Sequence, residues 1–240
     1  MRLTGICRHG KPCARTGGVL AVVKNGGMGY TVVRGCTMKE FLSYEEVRNN
    51  ALMLVHRIYR EDGFVPDVIY ASLRGGAYMA NVISEYYKVA LKDHKPVLYA
   101  AVVARSYTDV SSQDAVRIDG WTYSPQYLRM GDKVMLVDDI CDSGRTLNFL
   151  VGELLKTGIP RESIKVVVHD YKCFAYKKPL PIQPDYWCRK LDVLEPGQNS
   201  WINYMSHEMV GLTAEERELH YYKPYPGLRA VLEPVFSPAE

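Results

Sequence analysis

The protein has 240 residues, 47% of them apolar, with a formal net charge of +3. That length fits one large α/β domain with attachments, and so small a positive balance gives no case for a nucleic-acid partner. No apolar run reaches the ~20 residues of a membrane span, and Met1-Arg2-Leu3-Thr4-Gly5 starts no secretory core, so no membrane partner is expected. Six scattered cysteines (Cys7, Cys13, Cys36, Cys141, Cys173, Cys188) favour reduced thiols and a cytoplasmic location over a disulfide framework.

In residues 1–42, the apolar pieces Val19–Val23 and Tyr30–Val33 flank Asn25-Gly26-Gly27 and predict a β-hairpin in an N-terminal extension. Cys7-x-His9-x-x-x-Cys13 is either half a metal site or incidental, and Cys36 is the one candidate for a further ligand. Ser43 with Glu46 reads as a capping box. Val47, Ala51, Leu54, Val55 and Ile58 then share one helical face, and Gly63 ends that helix.

Val68–Ala71 reads as a buried strand running into Ser72-Leu73-Arg74-Gly75-Gly76, after which Ala77–Val89 resumes helical spacing. Pro96–Ala104 is a third such run, and Arg105–Tyr123 lacks periodicity and suits a mobile surface loop. Val134–Val137 is an apolar run of the kind buried on both faces of a parallel sheet. It stops at Asp138-Asp139, and Asp142-Ser143-Gly144-Arg145-Thr146 precedes a helix marked by Leu147, Leu150, Val151, Leu154 and Leu155. Such a turn offers an anion free backbone N–H groups and the positive end of a helix dipole. The acids would repel phosphate, so they suit sugar hydroxyls or a metal. Ile164–His169 predicts the next strand, with Asp170-Tyr171-Lys172 at its end. In residues 211–240, Thr213–Arg217 reads as a capped helix start, and Pro224, Pro226, Pro234 and Pro238 argue against long regular structure.

The run Val134-Met135-Leu136-Val137-Asp138-Asp139-Ile140-Cys141-Asp142-Ser143-Gly144-Arg145-Thr146-Leu147 resembles the phosphoribosyl-pyrophosphate signature of the type I phosphoribosyltransferases. The resemblance implies an α/β fold with a mostly parallel sheet flanked by helices and a small hood: a core over residues 43–170, a base-binding hood over 171–210, and extensions at 1–42 and 211–240. It implies that Asp138 and Asp139 hold the ribose hydroxyls and that Ser143, Gly144, Arg145 and Thr146 hold the 5′-phosphate. The turn at Leu73, Arg74, Gly75 and Gly76 becomes the pyrophosphate loop, with a cis bond between Leu73 and Arg74. Ser106 and Tyr107 become part of a lid, followed by Asp114–Ile118.

The same resemblance gives Asp142 and Arg74 catalytic roles, and an acid at position 142 is the mark of the 6-oxopurine enzymes. Lys172 would then bind the 6-oxo group, Trp201 (with Trp187 as the competing aromatic) would stack on the ring, and backbone near Ile202 would read its edge. Met205-Ser206-His207 stands where relatives often carry Pro-Trp. The implied activity joins hypoxanthine, guanine or xanthine to phosphoribosyl pyrophosphate. Mg2+ is implied near Asp138 and Asp139, directly or through water, and a homo-oligomer (dimer or tetramer) is implied. Two rivals stand beside this reading: a non-catalytic regulator sensing phosphoribosyl pyrophosphate or a nucleotide, and a diphosphokinase-like or pyrimidine-transferase relative.

Overall fold

A computed structural model of the protein describes residues 22–24, 30–34, 37–92, 96–106 and 116–236. Strands β1 (Val22–Lys24) and β2 (Tyr30–Arg34) pair antiparallel with Val22 opposite Val32, in keeping with the expected hairpin. Its turn and the Cys7, His9, Cys13 group lie outside the described residues. A third strand, β3 (Thr37–Leu42), extends this sheet; Lys39 and Glu40 break up its apolar pattern, so the sequence does not reveal it. Helix α1 (Tyr44–Arg60) starts as the capping box requires. The Ser43 hydroxyl accepts from the Glu46 N–H at 3.2 Å, and the Glu46 carboxylate accepts from the Ser43 N–H at 2.9 Å. Val47, Ala51, Leu54, Val55 and Ile58 are its buried stripe.

The main sheet takes up β4 (Val68–Leu73), β5 (Leu98–Ser106), β6 (Val116–Trp121), β7 (Val134–Cys141), β8 (Ile164–Phe174) and β9 (Tyr186–Val193). Their order is β6-β5-β4-β7-β8-β9, parallel throughout except for β6 on the edge. Helix α2 (Ala77–Ala90) follows β4, and α3 (Arg145–Leu155) follows β7. The uninterrupted apolar runs are explained by burial on both faces. Val134, Leu136, Val166 and Val168 pack with Leu147, Leu150 and Leu154 of α3. Met135, Val137 and Val167 point the other way, among Leu54, Ile58 and Ile83 of α1 and α2.

Two expectations need correction. The supposed loop over Arg105–Tyr123 contains β6, where Val116 and Ile118 alternate with Arg117 and Asp119 in the half-buried pattern of an edge strand. The expected boundary at residue 170 falls inside β8, and Tyr186–Val193 belongs to the main sheet rather than the hood. The described hood sheet is instead β1-β2-β3 joined by β10 (Trp201–Tyr204), which runs parallel to β3 with Tyr204 opposite Leu42. Beyond α4 (Ala214–Arg217), a short helix, the chain forms the nine-residue α5 (Leu228–Phe236) with Pro234 inside it, so regular structure here stays short. Pro234 removes one ladder donor close to the helix end, and the helix runs two residues past it.

The hood sheet is held from both sides. Behind it, Leu212, Tyr221 and Tyr222 bury themselves with Phe41 and Met205, and Lys39 pairs with Glu216 at 3.0 Å. On the core side Leu42, Ile202 and Tyr204 pack with Val47, Ile140 and Leu191, and a polar network is added to that cluster. Asp170, without solvent exposure, accepts hydrogen bonds from His169 Nδ1 (2.8 Å), Arg189 Nε (2.6 Å) and the Tyr204 hydroxyl (2.5 Å). Arg189 also reaches Glu40 on β3 at 2.6 Å. Burial pushes the Asp170 carboxyl up, but the hydrogen bonds and charges of His169 and Arg189 outweigh it and hold Asp170 below the usual carboxylate range. Removing one partner from such a buried charged group costs ~3–5 kcal/mol. Asp170→Ala is therefore expected to lose stability on that scale in urea denaturation, whereas Tyr225→Ala, at an exposed tyrosine, should stay within ~0.5 kcal/mol.

Candidate active site

Strands β4 and β7 are neighbours at the centre of the sheet, yet the strand that follows β4 lies on one side and the strand that follows β7 on the other. That reversal is the place where open α/β sheets bind ligands, beyond the carboxyl ends of the strands. The two turns singled out by the sequence, 73–76 and 142–146, leave the sheet there side by side.

Asp138, Asp139, Asp142, Ser143, Gly144 and Thr146 line one recess of about 220 Å³. Gly144 has φ +68°, a left-handed conformation that admits glycine without steric cost, and α3 begins at the next residue. Arg145 and Ser143 are exposed, and Ser143 with Thr146 brings hydroxyls and a helix start to the recess.

The acid pair is held by the backbone. Asp138 Oδ1 accepts from the Asp139 N–H at 3.0 Å, and Asp139 Oδ1 accepts from the Ile140 N–H at 2.8 Å. Burial, reinforced by the neighbouring Asp139 charge, pushes the Asp138 carboxyl well above the usual range, against a hydrogen bond from Ser72. The pyrophosphate-loop candidate packs directly on this pair. A Cβ on Gly75 would sit 2.4 Å from the Asp139 carboxyl carbon, and one on Gly76 would sit 2.2 Å from the Val137 carbonyl oxygen. Both glycines are thus needed for close approach. The Leu73–Arg74 peptide is cis, and Arg74 is exposed at the mouth of the loop.

On the other flank Lys172 is 3% exposed. It lies within β8, two residues before that strand's end, and not beyond it as the apolar run suggests. Its ammonium donates to the Ser200 carbonyl at 2.8 Å, Asn199 Oδ1 at 2.9 Å and Asp142 Oδ2 at 3.3 Å. Lys177 is engaged elsewhere, over the Phe174 ring. Trp187 packs into the main core beside Tyr171, whereas Trp201 stays 55% exposed at the start of β10, with its indole N–H on Glu208 at 3.2 Å. The Ile202 side chain is buried with Leu42, Val47 and Tyr204, which leaves only its backbone for a ligand. Ser106 ends β5, and Tyr107 with residues 108–115 of the expected lid lies outside the described residues.

Two participants escape sequence reading. Asn199 holds Lys172 from a polar stretch with no motif. His207 contacts Asp139 Oδ2 through Nε2 at 3.1 Å, and its one signal was the departure from Pro-Trp at 205–207.

A parallel sheet carrying an acid pair and two glycine-containing turns at its switch point defines an α/β protein with its ligand space beyond the carboxyl ends of the strands. The family model described as phosphoribosyl transferase domain matches residues 42–207, and the chain belongs to that family. It is 26% identical to the bifunctional protein PyrR of Microcystis aeruginosa over 153 residues, covering 63% of this chain and 82% of that protein. Among solved structures it is similar to a purine phosphoribosyltransferase from Pyrococcus horikoshii (TM-score 0.54, 20% identity, 73% of this chain and 98% of that one). It is also similar to a hypothetical protein from Neisseria gonorrhoeae with bound ppGpp (TM-score 0.53, 20% identity, 72% of this chain and 90% of that one).

The glycine contacts generate a direct test. Overpacking of this kind costs ~1–3 kcal/mol, and here the strain falls on the loop and the acid pair. Gly76→Ala is expected to weaken binding of phosphoribosyl pyrophosphate by at least about tenfold in isothermal titration, with a smaller loss in thermal stability than Asp170→Ala.

Proposed function

We propose that the protein is a purine phosphoribosyltransferase that joins a 6-oxopurine to phosphoribosyl pyrophosphate, giving a nucleoside 5′-monophosphate and pyrophosphate. The observation that carries this reading is the pairing of Lys172 with Asp142 at the carboxyl ends of adjacent strands, beside the sugar-phosphate turn. Ser143–Thr146 takes the 5′-phosphate, Asp138 and Asp139 the ribose hydroxyls, and Arg74 with the 73–76 backbone the diphosphate.

The ammonium explains the choice of base. It has three N–H donors, and Ser200, Asn199 and Asp142 occupy all three. A ring carbonyl must displace one of them, and Asp142 is the partner at the longest distance, with its side chain 44% exposed. Binding of a 6-oxo group therefore turns Lys172 onto the base and frees the Asp142 carboxylate for the ring N–H. A 6-amino group offers donors to an ammonium and gains nothing there. In the reaction the bond from C1′ to the diphosphate oxygen breaks and that oxygen keeps the electron pair. The bond from C1′ to the base nitrogen forms, and the ring proton passes to Asp142. Trp201 supplies a face for the ring, and a lid including Ser106 and Tyr107 excludes the water that would capture the ribosyl cation.

The side-by-side carboxylates of Asp138 and Asp139 are the hard oxygen donors that Mg2+ takes. Among the described residues there is no group of three or more His, Cys, Asp or Glu side chains able to cage a metal, so diphosphate oxygens and waters would complete the shell. When bound, the ion neutralises charge on the departing diphosphate.

A second reading is a regulator that holds phosphoribosyl pyrophosphate or a nucleotide without turnover. It is favoured by the description of the Microcystis relative as bifunctional and by the ppGpp held in the Neisseria structure. The experiment is pyrophosphate release with phosphoribosyl pyrophosphate and Mg2+, with hypoxanthine, guanine, xanthine, adenine and uracil in turn. Release is expected with a 6-oxopurine and not with adenine or uracil. Asp142→Asn should keep phosphoribosyl pyrophosphate binding and lose ~10²–10⁴-fold in turnover, the usual scale of general acid–base catalysis. Tight binding with no release for any base selects the regulator.

A further inference from the structure

Beside the pyrophosphate loop lies a second recess of about 490 Å³, shared by Arg74, Tyr78, Asn81 and Tyr99 with Ser206 and His207 of the hood. We propose that His207 is a diphosphate-binding residue: it closes the loop from the hood side and donates its Nε2–H to the leaving group opposite Arg74. This rests on the reading that turn 73–76 receives the diphosphate.

Three observations place the imidazole for that task. First, its Nε2 lies 3.1 Å from Asp139 Oδ2. An ionised carboxylate only accepts, so Nε2 carries a proton, and it does so over the carboxylate against which Gly75 is packed. Second, the ring is preorganised. Ser206 Oγ meets Nδ1 at 3.0 Å, and the Tyr204 ring stacks on it at 5.5 Å between centroids and 15° between planes. Tyr204 is itself fixed by its hydroxyl on buried Asp170 and on the Asp139 carbonyl. Third, the side chain is 18% exposed, at the edge of a recess that it shares with Arg74.

The geometry also implies an exchange of partners. Asp139 cannot serve the ribose hydroxyls fully while one of its oxygens is tied to His207. A diphosphate oxygen is an acceptor of the same kind as the carboxylate, so its arrival gives the imidazole N–H a new partner and releases Asp139 to the sugar. The hood thus contributes to leaving-group binding as well as to base binding.

The test is calorimetric titration of wild type, His207→Ala and His207→Phe with magnesium pyrophosphate, phosphoribosyl pyrophosphate and ribose 5-phosphate. His207→Phe keeps a ring to stack on Tyr204 and lacks the N–H, so it reads the donor even if the alanine variant fails to fold. Both variants are expected to bind pyrophosphate and phosphoribosyl pyrophosphate about tenfold more weakly, the scale of one lost hydrogen bond to a charged group. Ribose 5-phosphate, which has no diphosphate, should bind within about twofold of wild type. Equal weakening of all three ligands would mean that His207 acts only through Asp139, and unchanged pyrophosphate binding would mean that it does not touch the leaving group; either overturns the proposal. Failure of wild type itself to bind phosphoribosyl pyrophosphate would instead overturn the functional reading on which it rests.

Discussion

Everything at the carboxyl end of the sheet depends on the close approach of the Gly75-Gly76 backbone to the end of β7. With a Cβ at either position the chain would run into the Asp139 carboxylate or the Val137 carbonyl. Their absence lets two turns, each following its own strand, share one ligand-sized space. The parallel pairing of β4 with β7 sets the height of both turns, and the two-sided hydrophobic burial of those strands fixes the pairing. Each fully buried Val, Leu or Ile contributes ~1.5–3 kcal/mol to that frame. The polar chemistry of the site is therefore positioned by the least polar part of the chain.

Much of this frame is legible in the residues. Val134–Val137 and Val166–Val168 reveal buried strands because both faces are covered and neither can tolerate a charge. The stripe of α1 is legible because one face of a helix repeats, and Ser43 with Glu46 marks where it starts. The acid pair and the Ser143–Thr146 turn stand out because the chemistry forces unusual residues into a fixed order. What escapes is set by long-range pairing. Nothing local in Thr37–Leu42 reports that a strand near residue 200 will lie beside it. Nothing in Tyr186–Val193 says that this polar-looking run joins the main sheet, since as an edge strand it needs only partial cover. Asn199 and His207 escape for the same reason, their roles arising from where the hood sets them down.

Both faces of the small hood sheet are packed, but the face toward the core adds a buried hydrogen-bond network. Behind it the cover is largely apolar and aromatic, drawn from residues 212–236; toward the core the apolar cluster of Leu42, Val47, Ile202 and Tyr204 is joined by a chain of hydrogen bonds running from Asn50 through His169, Asp170 and Tyr204 to Asp139. Apolar packing tolerates small shifts, whereas a buried carboxylate with three donors accepts one geometry. The face nearest the reacting atoms carries the stricter constraint.

The parallel pairing of β3 with β10 joins residues about 160 positions apart, and that has a consequence for how the protein is made. At roughly 5–20 residues per second, a ribosome releases β3 about 8–30 seconds before its partner exists. During that interval β3 is an unpaired sheet edge, the kind of surface that recruits other chains. The β3–β10 pairing, of greatest sequence separation among the described strand pairings, has to wait for most of the domain. A nascent chain of this protein thus has a template for mispairing at β3 until β10 arrives.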